Sequence, residues 1–233
     1  MTTDIEQWRK SFVELRAEWN AIHRKKVEQW CEQFTKIRAE YHKLVENGEW
    51  QRGPSDLLSI IDRRRREVFH SSVIGWLMDP LAPHGLETAF LEQFLRKCNP
   101  NWSLVEERLN TVSVKCEVAK GNCRADIVIW SDNFKLVIEN KVDAEEGNRQ
   151  CERLFQAFRD ENDHVRFVFL TPRGRAPRSV QSKEATKAFE TVSYRDVRRC
   201  IEGALESIDK QSNAKVGLAT VRNYLATLKG GWV

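Results

Sequence analysis

RADIVIWSDNFKLVIENK, residues 124–141, decides the fold. Two apolar runs flank Ser131-Asp132-Asn133. Asp132 and Asn133 tolerate positive φ, so a two-residue turn is the natural link. Ser131 then faces Phe134 and Trp130 faces Lys135. Carried along the ladder, this register sets Asp126 opposite Glu139 and Arg124 opposite Lys141. Side chains alternate with period two, so Glu139 and Lys141 share a face. Carboxylates set across from one another repel. A divalent cation, which prefers oxygen ligands, is the natural compensation. A lysine beside it can neutralise charge, orient a water, or act at lowered pKa. That is the chemistry phosphodiester hydrolysis needs.

Outward from the hairpin the pattern is mixed. TVSVKCEV (111–118) reads as a preceding strand, VRFVFLT (165–171) as a later one and FETVSY (189–194) as another. A helix is expected across EEGNRQCERLFQAFRDE, between the hairpin and VRFVFLT. Upstream, Ser55 or Asp56 caps a helix that Asp79-Pro80 ends, and HGLETAFLEQFLRKC forms a second. Two helices, near 195–208 and 214–228, close the chain. The order α-β-β-β-α-β, a meander and then a crossover, predicts an α/β domain: a mixed sheet flanked by helices.

The first fifty residues differ. EQWRKSFVELRAEW (6–19) returns as EQWCEQFTKIRAEY (28–41), an offset of 22 residues. Trp8, Phe12, Leu15, Trp19 and Ile22, then Trp30, Phe34, Ile37, Tyr41 and Leu44, mark one helical stripe. Such a stripe must be covered. Three arrangements fit: pairing with its copy in another chain, folding back as a hairpin, or lying on the body. NGEWQRGPSD (47–56) supplies the break. The expected division is a helical arm over 1–50, assembling into a homo-oligomer or binding a partner protein through residues 1–47, and a second domain over 51–233.

Composition sets the class. The chain has 233 residues, 31% charged and 41% hydrophobic, with net charge +4. No apolar run spans a membrane, and MTTDIEQWRK lacks the apolar centre of a signal peptide. A cytoplasmic location with no membrane partner is expected. The six cysteines form no C-x-x-C pair, which points to free thiols rather than a zinc site. Positive charge is local: DRRRREVF carries four arginines, and TPRGRAPR sets Arg173 and Arg175 in a loop after a strand, where they could clamp a nucleic-acid backbone.

Asp126 in RADIVIW, and Glu139 with Lys141 in VIENK, resemble the signature of the PD-(D/E)XK nuclease superfamily, whose fold is restriction-endonuclease-like. EVFHSSVIGWLMDP, HGLETAFLEQFL and FLTPRG look like one microbial branch of it. The resemblance covers roughly residues 57–195. It implies a Mg²⁺- or Mn²⁺-dependent deoxyribonuclease with Asp126, Glu139 and Lys141 as catalytic core. It also implies an acid on the preceding helix, for which Glu67 is the candidate, with His70 one turn on. The Asn140 carbonyl would be a further metal ligand. Gln150, on the helix after the hairpin, would meet the nucleic acid; Arg124, opposite Lys141 in the hairpin register, is expected to face the phosphate. Two positions depart from the pattern: Ala125 stands where proline is usual, and Leu154 where an aromatic is usual. DNA is the expected substrate, with RNA open, and defence against foreign DNA fits a small microbial nuclease with such an arm. The alternative is a nuclease-like interaction module that works through its arm.

Overall fold

In a computed structural model, residues 2–49, 53–99, 108–159, 164–208 and 214–230 are described. The hairpin takes the expected register. Strands β2 (Cys123–Trp130) and β3 (Lys135–Asn140) pair antiparallel, with Ile127 facing Ile138 and Trp130 facing Lys135. The Ser131 N–H donates to the Phe134 carbonyl at 2.9 Å, closing the turn. Strand β1 (Ser113–Lys120) pairs antiparallel with β2. Strands β4 (Val165–Thr171) and β5 (Phe189–Ser193) run parallel to β3. The five strands form one mixed sheet in chain order.

Helices cover both faces. Ile127, Ile129, Leu136, Ile138, Val168 and Leu170 pack on one side under α3 (Glu67–Met78), α4 (Ala89–Cys98), α7 (Tyr194–Ser207) and α8 (Lys215–Lys229). Val128, Val137, Phe167 and Phe169 pack on the other under α5 (Gln150–Phe158) and the short α6 (Lys183–Ala188). β3 is buried throughout because both of its faces are covered. Serine caps begin α6 and α7, where Ser182 and Ser193 accept from the N–H groups of Ala185 and Asp196.

Two expectations need correction. The helix read from Ser55 to Asp79 is two helices. Asp56 caps the short α2 (Leu57–Ile60), the chain turns through Asp62 at φ 53°, and α3 begins only at Glu67. Arginine suits a helix interior, so propensity alone does not mark the break. Long-range ties hold it: Arg65 bonds Asp143, and His70 bonds the Arg64 carbonyl. The helix expected from His84 starts at Ala89, because Gly85 and Glu87 hold positive φ.

Two compact units are present, Met1–Gly53 and Pro54–Val233. The boundary expected after residue 50 falls at residues 50–52, outside the described residues. The first unit is α1, Thr2–Glu46, one uninterrupted helix. The folded-back hairpin is therefore not what the arm forms. Its stripe is exposed from Trp8 to Ile37, Trp8 at 76% and Trp30 at 63%, while Tyr41 and Leu44 are half-buried. No described helix is long and apolar enough to cross a membrane. All six cysteines are free.

Glu146 and Glu152 anchor the loop between β4 and α6. Glu146 accepts from the Arg178 and Ser179 N–H groups and pairs with Arg175. Glu152 accepts from the Gln181 and Ser182 N–H groups at 2.8 and 3.0 Å. Burial alone would raise both carboxyls; these donors instead hold each at about 2. Folded values below the unfolded one stabilise the fold above about pH 4.5, and that support fades as pH falls toward 2. Glu146→Ala strands these donors and is expected to cost about 2 kcal/mol, read as a lower urea midpoint at pH 7 with a gap that narrows in acid.

Candidate active site

The site forms where β2 and β3 part at the mouth of the sheet. Asn140 lies between Glu139 and Lys141, and alternation turns it to the opposite face. There its side chain donates to Ser71 Oγ at 3.0 Å and to the Glu67 carbonyl at 3.3 Å, and it accepts from the Tyr194 hydroxyl at 2.8 Å. These bonds fix β3 against α3 and α7. Its N–H donates to Asp126 Oδ2 at 2.6 Å and orients that carboxylate toward Glu139's side of the ladder.

Glu139 is fully buried. Its Oε1 receives Lys141 Nζ at 3.1 Å and the Gln150 side-chain amide. Its Oε2 is buried without any hydrogen-bond partner. An orphan carboxylate oxygen in a native interior is costly and calls for a ligand. Glu67, in the first turn of α3, fixes the loop after β3: its Oε1 accepts from the Val142 and Ala144 N–H groups at 2.8 and 3.2 Å. Its Oε2 lies 3.6 Å from Lys141 Nζ.

The electrostatics follow from burial. Burial and the charge of Asp126 push the Glu139 carboxyl upward, against Lys141. Burial also raises Asp126, against the Asn140 N–H and Lys141. The two carboxylates thus compete for one complement of positive charge. Burial lowers the Lys141 ammonium, but Glu139, Glu67 and Asp126 outweigh it and the net shift is upward. These acids hold Lys141 as a cation beside them.

No group of three or more His, Cys, Asp or Glu is placed to hold a metal ion among the described residues. An open pair of carboxylates with one orphan oxygen, at the wall of a cleft, is a different arrangement. It fits a hard cation that completes its shell with water and a phosphate oxygen. Asp126 and Glu139, with Glu67 nearby, could hold it. The Asn140 carbonyl belongs to the residue that follows Glu139 and whose N–H bonds Asp126.

The cleft, about 580 Å³, is lined by Glu67, Glu117, Arg124, Asp126, Lys141 and Gln150, with Arg153 beyond. Arg124 reaches it while paired to Glu117 at 2.9 Å. Gln150 lies here too, but it serves the protein: its amide donates to Glu139 and its carbonyl accepts from the Gly147 N–H at 2.9 Å. It thus positions an acid from the wall of the cleft. His70 is not at the surface. It is fully buried, Nδ1 bonded to the Tyr224 hydroxyl at 2.9 Å and Nε2 to the Arg64 carbonyl at 2.8 Å, and burial lowers its pKa to about 4. Arg175 is drawn inward by Glu146, its guanidinium 5.1 Å from the Phe169 ring centre. Arg173 is exposed on the same loop.

Two cleft residues went unread in the sequence. Glu117 holds φ 57° inside β1, opposite Asp126 in an otherwise continuous ladder. There the hairpin's side chains change face: Val114, Cys116 and Ile127 pack in one core, Val118 and Ala125 in the other. A non-glycine residue in this region is strained, and such strain gathers at functional sites. Arg153, one turn beyond Gln150, buries its Nε without a partner. Its place at i+3 from Gln150 was the available signal.

The sequence profile of the PD-(D/E)XK nuclease superfamily matches residues 55–225. The chain belongs to that superfamily, whose members are nucleases and generally depend on divalent metal. No curated protein matches the chain at a significant level. One solved structure, "Crystal Structure of Protein of Unknown Function AF1548", is similar at 13% identity over 59% of this chain and 97% of that one, with a TM-score of 0.25. A score that low carries no argument.

Proposed function

We propose that the protein is a Mg²⁺- or Mn²⁺-dependent nuclease that hydrolyses DNA phosphodiester bonds at Asp126, Glu139 and Lys141. The observation that carries this reading is the buried, unpartnered Glu139 Oε2 beside Asp126, with Lys141 Nζ at 3.1 Å from the other oxygen. A cation held by Asp126 and Glu139, with Glu67 and the Asn140 carbonyl, would polarise the scissile phosphate and acidify a water. The chain supplies the rest. The Asn140 N–H fixes Asp126, and Gln150 fixes Glu139. Glu67 locks the loop after β3. Lys141, held charged, steadies the attacking water or the negative charge of the transition state. Arg124 offers a cation to the neighbouring phosphate. The test is cleavage of plasmid and linear DNA by purified protein with Mg²⁺ or Mn²⁺. Cutting that stops in EDTA and returns with added metal supports the reading; cutting indifferent to EDTA contradicts it.

The arm serves assembly. Its exposed stripe repeats across the 22-residue offset on a single continuous helix, so two copies can cover one another along their length. Removal of residues 1–47 is expected to reduce the mass in solution from a multiple of 27.2 kDa to a single truncated chain, measured by light scattering. Equal stoichiometry before and after truncation would refute self-assembly through the arm.

A further inference from the structure

The catalytic cleft has a neighbour. Glu67 and Val68 line it and also line a second cleft of about 730 Å³, whose wall is the turn Asp62–Arg66. This turn is built, not frayed. The Arg63 N–H donates to the Leu58 carbonyl at 2.7 Å, and the Arg66 N–H to the Arg63 carbonyl at 3.1 Å. His70, itself held by Tyr224, grips the Arg64 carbonyl from beneath. Arg65 is committed: its Nε donates to Asp143 Oδ2 at 2.6 Å, and its Nη2 reaches the other oxygen.

That leaves Arg63, Arg64 and Arg66, all exposed. The Arg63 guanidinium donates only to the neighbouring Asp62 carbonyl at 3.1 Å, and no described carboxylate pairs with any of the three. Asp143 is neutralised by Arg65 and Glu67 faces Lys141. Asp62 is the acid left on the wall, so the three guanidiniums give it a net positive charge directly before the first acid of the site. Guanidinium forks match phosphate oxygens, and a turn already held in shape loses little freedom on binding. Buried His70 thus finds its use in holding this turn in place.

We propose that Arg63, Arg64 and Arg66 form a phosphate-binding track that carries the DNA backbone beside the scissile bond. This rests on the nuclease reading above. The test is binding of a fluorescent 20-base-pair DNA duplex in EDTA, by anisotropy, across a salt series. The proteins are the wild type, Arg63→Ala/Arg64→Ala/Arg66→Ala, and the same three positions as lysine. The alanine triple should bind at least about tenfold more weakly, with a salt slope smaller by about 2 to 3, since each lost phosphate contact removes about 0.9. Its melting temperature should hold, and the lysine triple should recover most of the affinity. Unchanged affinity and slope in the alanine triple overturn the track, as does a wild type that binds no duplex. Weaker binding by both triples that comes with a lowered melting temperature also overturns it, because the turn is then structural. Turn-dependent binding of an RNA 20-mer but not of DNA overturns the DNA assignment. Cleavage is scored separately with Mg²⁺. Turn-dependent binding without cutting sinks the nuclease reading and leaves the track; cutting with a triple-insensitive KM and salt slope sinks the track alone.

Discussion

Lys141→Ala is expected to reduce DNA cleavage by at least about 10³-fold, with KM changed far less than kcat. The Lys141 ammonium lies 3.1 Å from Glu139 Oε1 and 3.6 Å from Glu67 Oε2. It remains charged there, so its loss removes fixed positive charge from the place where negative charge develops. Asp126→Ala should be as severe, since it removes one of the two carboxylates able to hold the metal and frees the Asn140 N–H. The fold should survive Lys141→Ala. Glu139 is already pushed upward by burial and can take up a proton when its partner is gone. Single-turnover cleavage with unchanged circular dichroism separates chemistry from folding. Substantial cutting by either variant would mean the reaction happens elsewhere.

Gly217→Ala is expected to cost about 3 kcal/mol of stability. A Cβ there would lie 1.9 Å from the Pro83 carbonyl oxygen and 2.7 Å from His84 Cα. Both are backbone atoms, so α8 itself must shift. The better helix propensity of alanine returns only about 1 kcal/mol. For a domain of this size the melting temperature should drop by roughly 6–12 °C. Gly203→Ala is the control: its Cβ would meet the Gln93 side-chain amide at 3.3 Å, and Gln93 can swing away. Equal melting temperatures for Gly217→Ala and wild type would refute the close approach. The shift also matters for function, because α8 carries Tyr224, which holds His70, which holds the arginine turn.

The sheet was largely legible because short-range rules govern it. An Asp-Asn turn fixes the β2–β3 register, and alternation then places Glu139 and Lys141 together. The arginine turn was not legible. Nothing local in DRRRREVF stops a helix; the stop comes from Asp143 and His70, 78 and 6 residues from their partners Arg65 and Arg64. His70 had a readable sign: it precedes Ile74 and Leu77 by four and seven residues, on the face that enters the core. The pairing of Arg175 was not legible either, because its partner Glu146 lies on a distant loop. Glu117 was invisible because period-two alternation does not foresee a left-handed residue within a strand.

Anomalous scattering from a crystal equilibrated with Mn²⁺ bears most directly on the central claim. We expect a manganese peak bonded to Asp126 and Glu139, with Glu139 Oε2 among its ligands. A crystal at high Mn²⁺ with no peak there, and the Glu139–Lys141 ion pair intact, would contradict it.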